Sequence, residues 1–138
     1  MQTGEGKGEG YNVNIPLPPG TGDSTYLYAL NETFVPLAEE FKPEIIVGNG
    51  GSDSHFADML GSLALTVQGF LGISSTIAET GDDVCSGRVV LMPGSAYHPE
   101  ILPQCWYALV QGVVALNQDH EKEPYAPAVQ PQQVRAKV

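Results

Sequence analysis

The chain has 138 residues, 42% of them hydrophobic and 16% charged, which is room and material for one domain with a core and argues against a wholly disordered chain. Sixteen acidic residues stand against six basic ones, a net charge of −10, so no basic stripe exists for a phosphate backbone and direct nucleic-acid binding is not expected. Such an acidic surface favours solubility and tolerates cationic partners such as lysine-bearing tails or polyamines, while the apolar runs fall short of the roughly 18 residues of a membrane span.

Residues Thr3 to Gly10 form a glycine-rich charged run, TGEGKGEG. It fails as a phosphate loop, because Gly4-x-Gly6 leads to Glu9 and Gly6-x-Gly8 leads to Tyr11, where the pattern needs glycine. Tyr11, Val13 and Ile15 alternate with polar residues and predict a short strand, ended by the Pro16–Gly22 run. A helix follows, with Asp23 or Ser24 as N-cap. Leu27, Leu30, Phe34, Leu37 and Phe41 form its apolar stripe, Pro36 is expected to kink or divide it, and Lys42-Pro43 ends it.

Glu44 to Asn49 (EIIVGN) is a β-branched run of the kind buried in parallel sheets, and it leads into Gly50-Gly51-Ser52-Asp53-Ser54-His55. A second helix is predicted after Thr66, with Val67, Phe70, Leu71, Ile77 and Ala78 on one face, then a polar loop over Gly81–Gly87. Arg88 to Met92 is another buried strand, and Pro93-Gly94-Ser95-Ala96-Tyr97 is the loop at its end. Pro99 suits the first turn of a third helix, whose stripe runs from Leu102 through Trp106 and Leu109 to Leu116, with Pro103 disturbing its early turns. Residues 118–138 form a polar, proline-rich tail beyond a domain portion spanning 1–117. Cys85 and Cys105 lie in no CxxC pair and no leader follows Met1, so reduced thiols and a cytoplasmic setting are expected.

Strand alternating with helix predicts an α/β fold, part of an open, mostly parallel sheet with helices on its faces. Right-handed crossovers bring the loops after Asn49 and Met92 to one edge, at the carboxyl ends of the strands, where chemistry gathers in such sheets. Asp53, just past a buried strand and flanked by small residues, can reach a metal ion from a rigid base; equally, an aspartate there caps a helix or shapes a loop. The Tyr97 hydroxyl can donate to an oxygen that gains negative charge, or the ring can simply pack on the sheet. His120 lies in the tail, and His98 begins a helix that it can cap.

Three blocks in order, YNVNIPLPPGTGD, GSDSHFADMLGSLALT and GSAYHPEILPQCW, resemble the later half of a histone deacetylase-type domain, as in class I histone deacetylases and acetoin-utilization proteins. The resemblance implies an arginase/deacetylase-like sheet whose N-terminal half is absent. It implies that Asp53 is the aspartate closing a zinc site, or a site for another divalent metal, and that Tyr97 polarises the acetyl carbonyl. Trp106, nine positions after Tyr97, matches a buried tryptophan of the family. His55, Gly51 and Gly94 fall where residues touch the metal ligands from behind or touch the substrate, and Tyr11 where a backbone carbonyl meets a structural potassium. The implied reaction is zinc-dependent hydrolysis of an acetyl-lysine or acetylated small amine.

The departures matter too. The family's Asp-x-His ligands and paired histidines have no counterpart here, and the glycine run before the tyrosine is reduced to Pro93-Gly94-Ser95-Ala96. The isolated chain is therefore expected to be inactive without a separate N-terminal half as partner. The alternative is a non-catalytic remnant or interaction module of the same fold. An arginase-like hydrolase shares the architecture but wants several carboxylates for two metals, which the Asp53 loop does not offer.

Overall fold

The structure is a computed structural model and describes residues 2–114. Three helices and two strands follow one another as α1 (Asp23–Phe41), β1 (Ile46–Gly50), α2 (Val67–Cys85), β2 (Val89–Pro93) and α3 (Leu102–Val114), with one 3-10 turn at Gly6–Gly8. The two strands pair in parallel from Ile46 opposite Val89 to Gly50 opposite Pro93.

The predicted strand over Tyr11–Leu17 does not form. Its backbone meets no neighbouring strand among the described residues, so the alternating side chains serve helix packing instead. Val13 and Ile15 line an apolar groove with Leu30, Phe34, Leu37, Phe41 and Ile46. The Asn12 and Asn14 amides, on the other side, donate to the Gln2 carbonyl at 2.7 and 2.8 Å.

Helix α1 runs unbroken through Pro36. The proline deprives the Glu32 carbonyl of its helical donor, but Glu32 and Pro36 both lie on the exposed side, where water serves. Nor is Asp23 the N-cap; Gly22 holds that place. The Asp23 carboxylate reaches across to the start of α2, where Oδ1 accepts the Thr66 N–H at 2.8 Å and Oδ2 accepts the Thr66 hydroxyl at 2.6 Å. Gly69 makes room for it, since a Cβ there would overlap Asp23 Oδ1. At the other end Lys42 turns left-handed (φ 51°) and donates its N–H to the Ala38 carbonyl, and Pro43 prevents continuation.

Helix α2 continues to Cys85, past the point where a loop is predicted at Gly81. Gly81 is a packing residue and not a breaker, because a Cβ there would strike Val89 Cγ2 on β2. The helix ends where Ser86 and Gly87 both take positive φ. In α3, Pro103 occupies the first turn, where its missing N–H has no helical acceptor and disturbs nothing. The turn before it is closed by Ile101 and Leu102 N–H groups donating to the His98 carbonyl.

Leu65, Val67, Phe70, Ile101, Cys105, Ala108 and Leu109 form the buried core between α2, α3 and the sheet. Glycines 48 and 50 on β1 allow close packing: added Cβ atoms would lie 3.0 Å from Leu91 Cδ1 and 2.9 Å from Leu109 Cδ1. Only one face of the sheet is covered this way. On the other, Val47, Val90 and Met92 are 57%, 44% and 49% exposed. Parallel sheets normally have both faces buried, so two strands with a bare apolar face are a part of a larger layered fold. Both cysteines are buried and neither forms a disulfide. No helix of the described residues is long and apolar enough to cross a membrane. The predicted tail, residues 118–138, lies outside the described residues.

Candidate active site

Because β1 and β2 are parallel, both chains leave the sheet at the same edge, and their loops stay joined beyond it. The Gly94 N–H donates to the Gly50 carbonyl at 2.9 Å and the Ser52 N–H to the Ser95 carbonyl at 2.7 Å. Gly94 is needed for this approach, since a Cβ on it would lie 2.9 Å from Asn49 Oδ1 and 3.3 Å from the Gly51 nitrogen. The Trp106 indole N–H, rising from α3, donates to the Gly94 carbonyl at 3.2 Å.

Asp53 and the second loop meet around Gly51. The point where a Gly51 side chain would begin lies 3.1 Å from Asp53 Oδ1 and 3.4 Å from the Ser95 hydroxyl. The Asp53 carboxylate and the Ser95 hydroxyl thus flank one small opening that only glycine leaves free. Behind it, Gly61 packs directly on the Asp53 carbonyl, and its Cα has no space for a substituent. The Ser52 hydroxyl is fully buried with no hydrogen-bond partner.

Tyr97 stands on the same edge, 46% exposed. Its backbone N–H donates to Asp58 Oδ2 at 2.7 Å. Asp58 also accepts, through Oδ1, the Leu60 N–H at 2.9 Å and the Gly61 N–H at 3.3 Å. Partial burial pushes the Asp58 carboxyl up, but the N–H donors of Leu60, Tyr97 and Gly61, with the charge of His98, outweigh it and hold the group below the usual carboxylate range. Sequence reasoning missed Asp58. Asp58-Met59-Leu60-Gly61 carries a turn signal, an aspartate able to bond its own following backbone, but nothing in the sequence gives its link to Tyr97, 39 positions away.

The other predicted site residues fall in different places. His55 is fully buried, its ring 4.4 Å from that of Phe56 and stacked 6.3 Å from Phe70, with Nδ1 accepting the Ala57 N–H at 3.1 Å. A side chain with no exposed surface supports the Asp53 loop from behind and does not offer a substrate contact. Tyr11 packs edge-on against Phe41, 6.0 Å between ring centres, beside the α1 end that leads into the start of β1 and away from the Gly51 opening.

Zinc in a catalytic site takes about three protein ligands and an open position. Among the described residues no group of three His, Cys, Asp or Glu side chains could hold a metal ion. Asp53 alone does not make such a site, so the described residues do not fit a complete zinc centre.

Parallel strands with helices on one face and polar loops joined at their carboxyl ends define part of a parallel α/β sheet. The family model for the histone deacetylase domain matches residues 1–113, and the chain belongs to that family. It is 38% identical over 124 residues to a probable deacetylase of Archaeoglobus fulgidus, covering 89% of this chain and 34% of that protein. Histone deacetylase 8 of Arabidopsis thaliana is 35% identical over 111 residues, 80% of this chain and 29% of its own length. The solved structure of the histone deacetylase Clr3 superposes with a TM-score of 0.75 at 26% identity, covering 90% of this chain and 20% of that one. A histone deacetylase homolog complexed with SAHA gives 0.70 at 32% identity, over 85% and 30% of the two chains. The chain thus spans about a third or less of the length of these relatives.

Proposed function

We propose that this chain supplies part of the active centre of a deacetylase that hydrolyses the amide of an acetyl-lysine or an acetylated small amine. The observation that carries the proposal is the joining of the Asp53 and Tyr97 loops at the carboxyl edge of β1 and β2, through Ser52–Ser95, Gly50–Gly94 and Asp58–Tyr97. In this scheme the Tyr97 phenol donates a hydrogen bond to the acetyl carbonyl oxygen as it gains negative charge, a role suited to a half-exposed hydroxyl on a tethered backbone. The rigid setting of Asp53 against Gly51 and Gly61 suits a carboxylate that offers one oxygen to a divalent metal. Zinc dependence belongs to the completed centre, whose remaining donors lie outside the described residues. A potassium held by the Tyr11 carbonyl is a further element of the same proposal.

The partner is the remaining portion of the deacetylase domain. Its place is supported by the bare Val47, Val90 and Met92 face and by relatives about three times longer than this chain. The lack of a three-donor cluster among the described residues favours a second reading, a non-catalytic module of the same fold. Turnover of acetyl-lysine peptides and acetylpolyamines separates the two. The chain alone is expected to be inactive. Co-expressed with the rest of the domain, it is expected to yield a soluble complex that releases acetate and loses activity to a chelator. A well-folded complex without turnover favours the module.

A further inference from the structure

Resting on the proposed deacetylase site, we infer that Asp58 is a positioning residue that sets the distance between Asp53 and Tyr97. Its two carboxylate oxygens divide the work. Oδ1 accepts from Leu60 and Gly61 within its own loop, and Oδ2 accepts from the Tyr97 N–H in the other, at 2.7 Å. Gly61 in turn packs on the Asp53 carbonyl so closely that no Cβ fits between them. One carboxylate therefore grips the backbone against which Asp53 rests and the backbone that bears the Tyr97 phenol. The joints at Gly50–Gly94 and Ser52–Ser95 stop short of Tyr97; Asp58 carries the connection the last two residues along the loop.

The choice of a carboxylate follows from the donors. Three N–H groups converge on it from two sides, and a carboxylate accepts on both oxygens. An asparagine offers one oxygen and turns an NH2 toward the remaining donors. A serine is long enough to accept within its own turn and too short to span to the second loop. With both oxygens engaged by backbone donors, Asp58 does not act on substrate itself; its influence passes through Tyr97.

The test uses the full chain, 15N-labelled, as wild type and as Asp58→Ser and Asp58→Asn. In Asp58→Ser the Tyr97 amide is expected to lose roughly tenfold or more of its hydrogen-exchange protection, the weight of one charge-assisted hydrogen bond. The amides of Leu60, Gly61 and α2 should keep theirs, and Asp58→Asn should fall between. Unchanged protection at Tyr97 in both variants overturns the inference, as does a loss spread evenly over the loop and α2, which marks a merely structural role. In the completed domain, Asp58→Ser should lower kcat roughly tenfold or more with KM little changed, by the same loss. A released Tyr97 amide with unaltered kcat also overturns the positioning role. The proposed function fails separately, on Tyr97→Phe, which leaves Asp58 and the backbone untouched.

Discussion

Gly112→Ala should pry α3 away from α2 and destabilise the chain, although alanine is the better helix former. A Cβ on Gly112 would lie 2.7 Å from the Ser75 nitrogen and 2.8 Å from the Leu71 carbonyl oxygen, and closer still to the Ser74 hydroxyl. Two of these three atoms are backbone, so no rotamer change clears them. Ordinary contact lies near 3.5–4.0 Å, so the helices must part by roughly 1 Å, which forfeits about a quarter to a half of the dispersion energy across the gap. The separation also breaks the 3.3 Å hydrogen bond from the Ser74 hydroxyl to the Ala108 carbonyl. Overpacking costs about 1–3 kcal/mol, and backbone obstruction puts this site near the top of that range. The helix-propensity gain of about 1 kcal/mol leaves a net loss of roughly 2 kcal/mol. Urea unfolding of the full chain measures it as a lower midpoint at unchanged slope. A midpoint raised by the amount that propensity alone predicts would refute the close-packed interface.

Three further outcomes follow from individual contacts. Trp106→Phe removes the donor to the Gly94 carbonyl and is expected to cost about 0.5–1.5 kcal/mol, or more where the smaller ring leaves a void, read by chemical unfolding. Asp23→Ala removes both acceptors at Thr66 and should cost about 0.5–2 kcal/mol in thermal or chemical unfolding, a loss not expected of an exposed first-turn aspartate. Since the Asp58 carboxyl is held below its ordinary value in the folded chain, its contribution is present above the ordinary carboxylate range and vanishes as pH falls through the lowered folded value. The Tyr97 amide resonance, followed through an acid titration, should therefore move with a midpoint below that range; a midpoint at or above it contradicts the arrangement.

The parts of the fold that could be read from the sequence are those governed by local pattern. The α1 stripe from Leu27 to Phe41, the apolar Ile45-Ile46-Val47 and Val89-Val90-Leu91 runs, and the Lys42-Pro43 stop each carry their signal within a few residues. Errors arose where a distant partner decided the matter. Gly81 looks like a helix end until Val89 is found against it, and Asp23 looks like its own helix's cap until Thr66 comes within reach, 43 positions on. Tyr11–Leu17 alternates as a strand does, but alternation reports two-sidedness and not the presence of a partner strand.

The candidate site divides in the same way. Parallel strands ending at Gly50 and Pro93 made it legible that the Asp53 and Tyr97 loops share an edge. The closeness of Asp53 to Ser95 across Gly51, the withdrawal of His55 into the core and the Asp58 tether all depend on loop conformation, for which the sequence holds only turn signals.

The most direct trial of the catalytic scheme is deacetylation of an acetyl-lysine peptide by the completed domain carrying Tyr97→Phe, beside wild type. Loss of a preorganised donor to the developing oxyanion should reduce kcat by about 10²–10³-fold, with the unfolding midpoint held and Asp58 still protecting the backbone amide of residue 97. Turnover equal to wild type would mean that the phenol at the β2 edge takes no part in the chemistry.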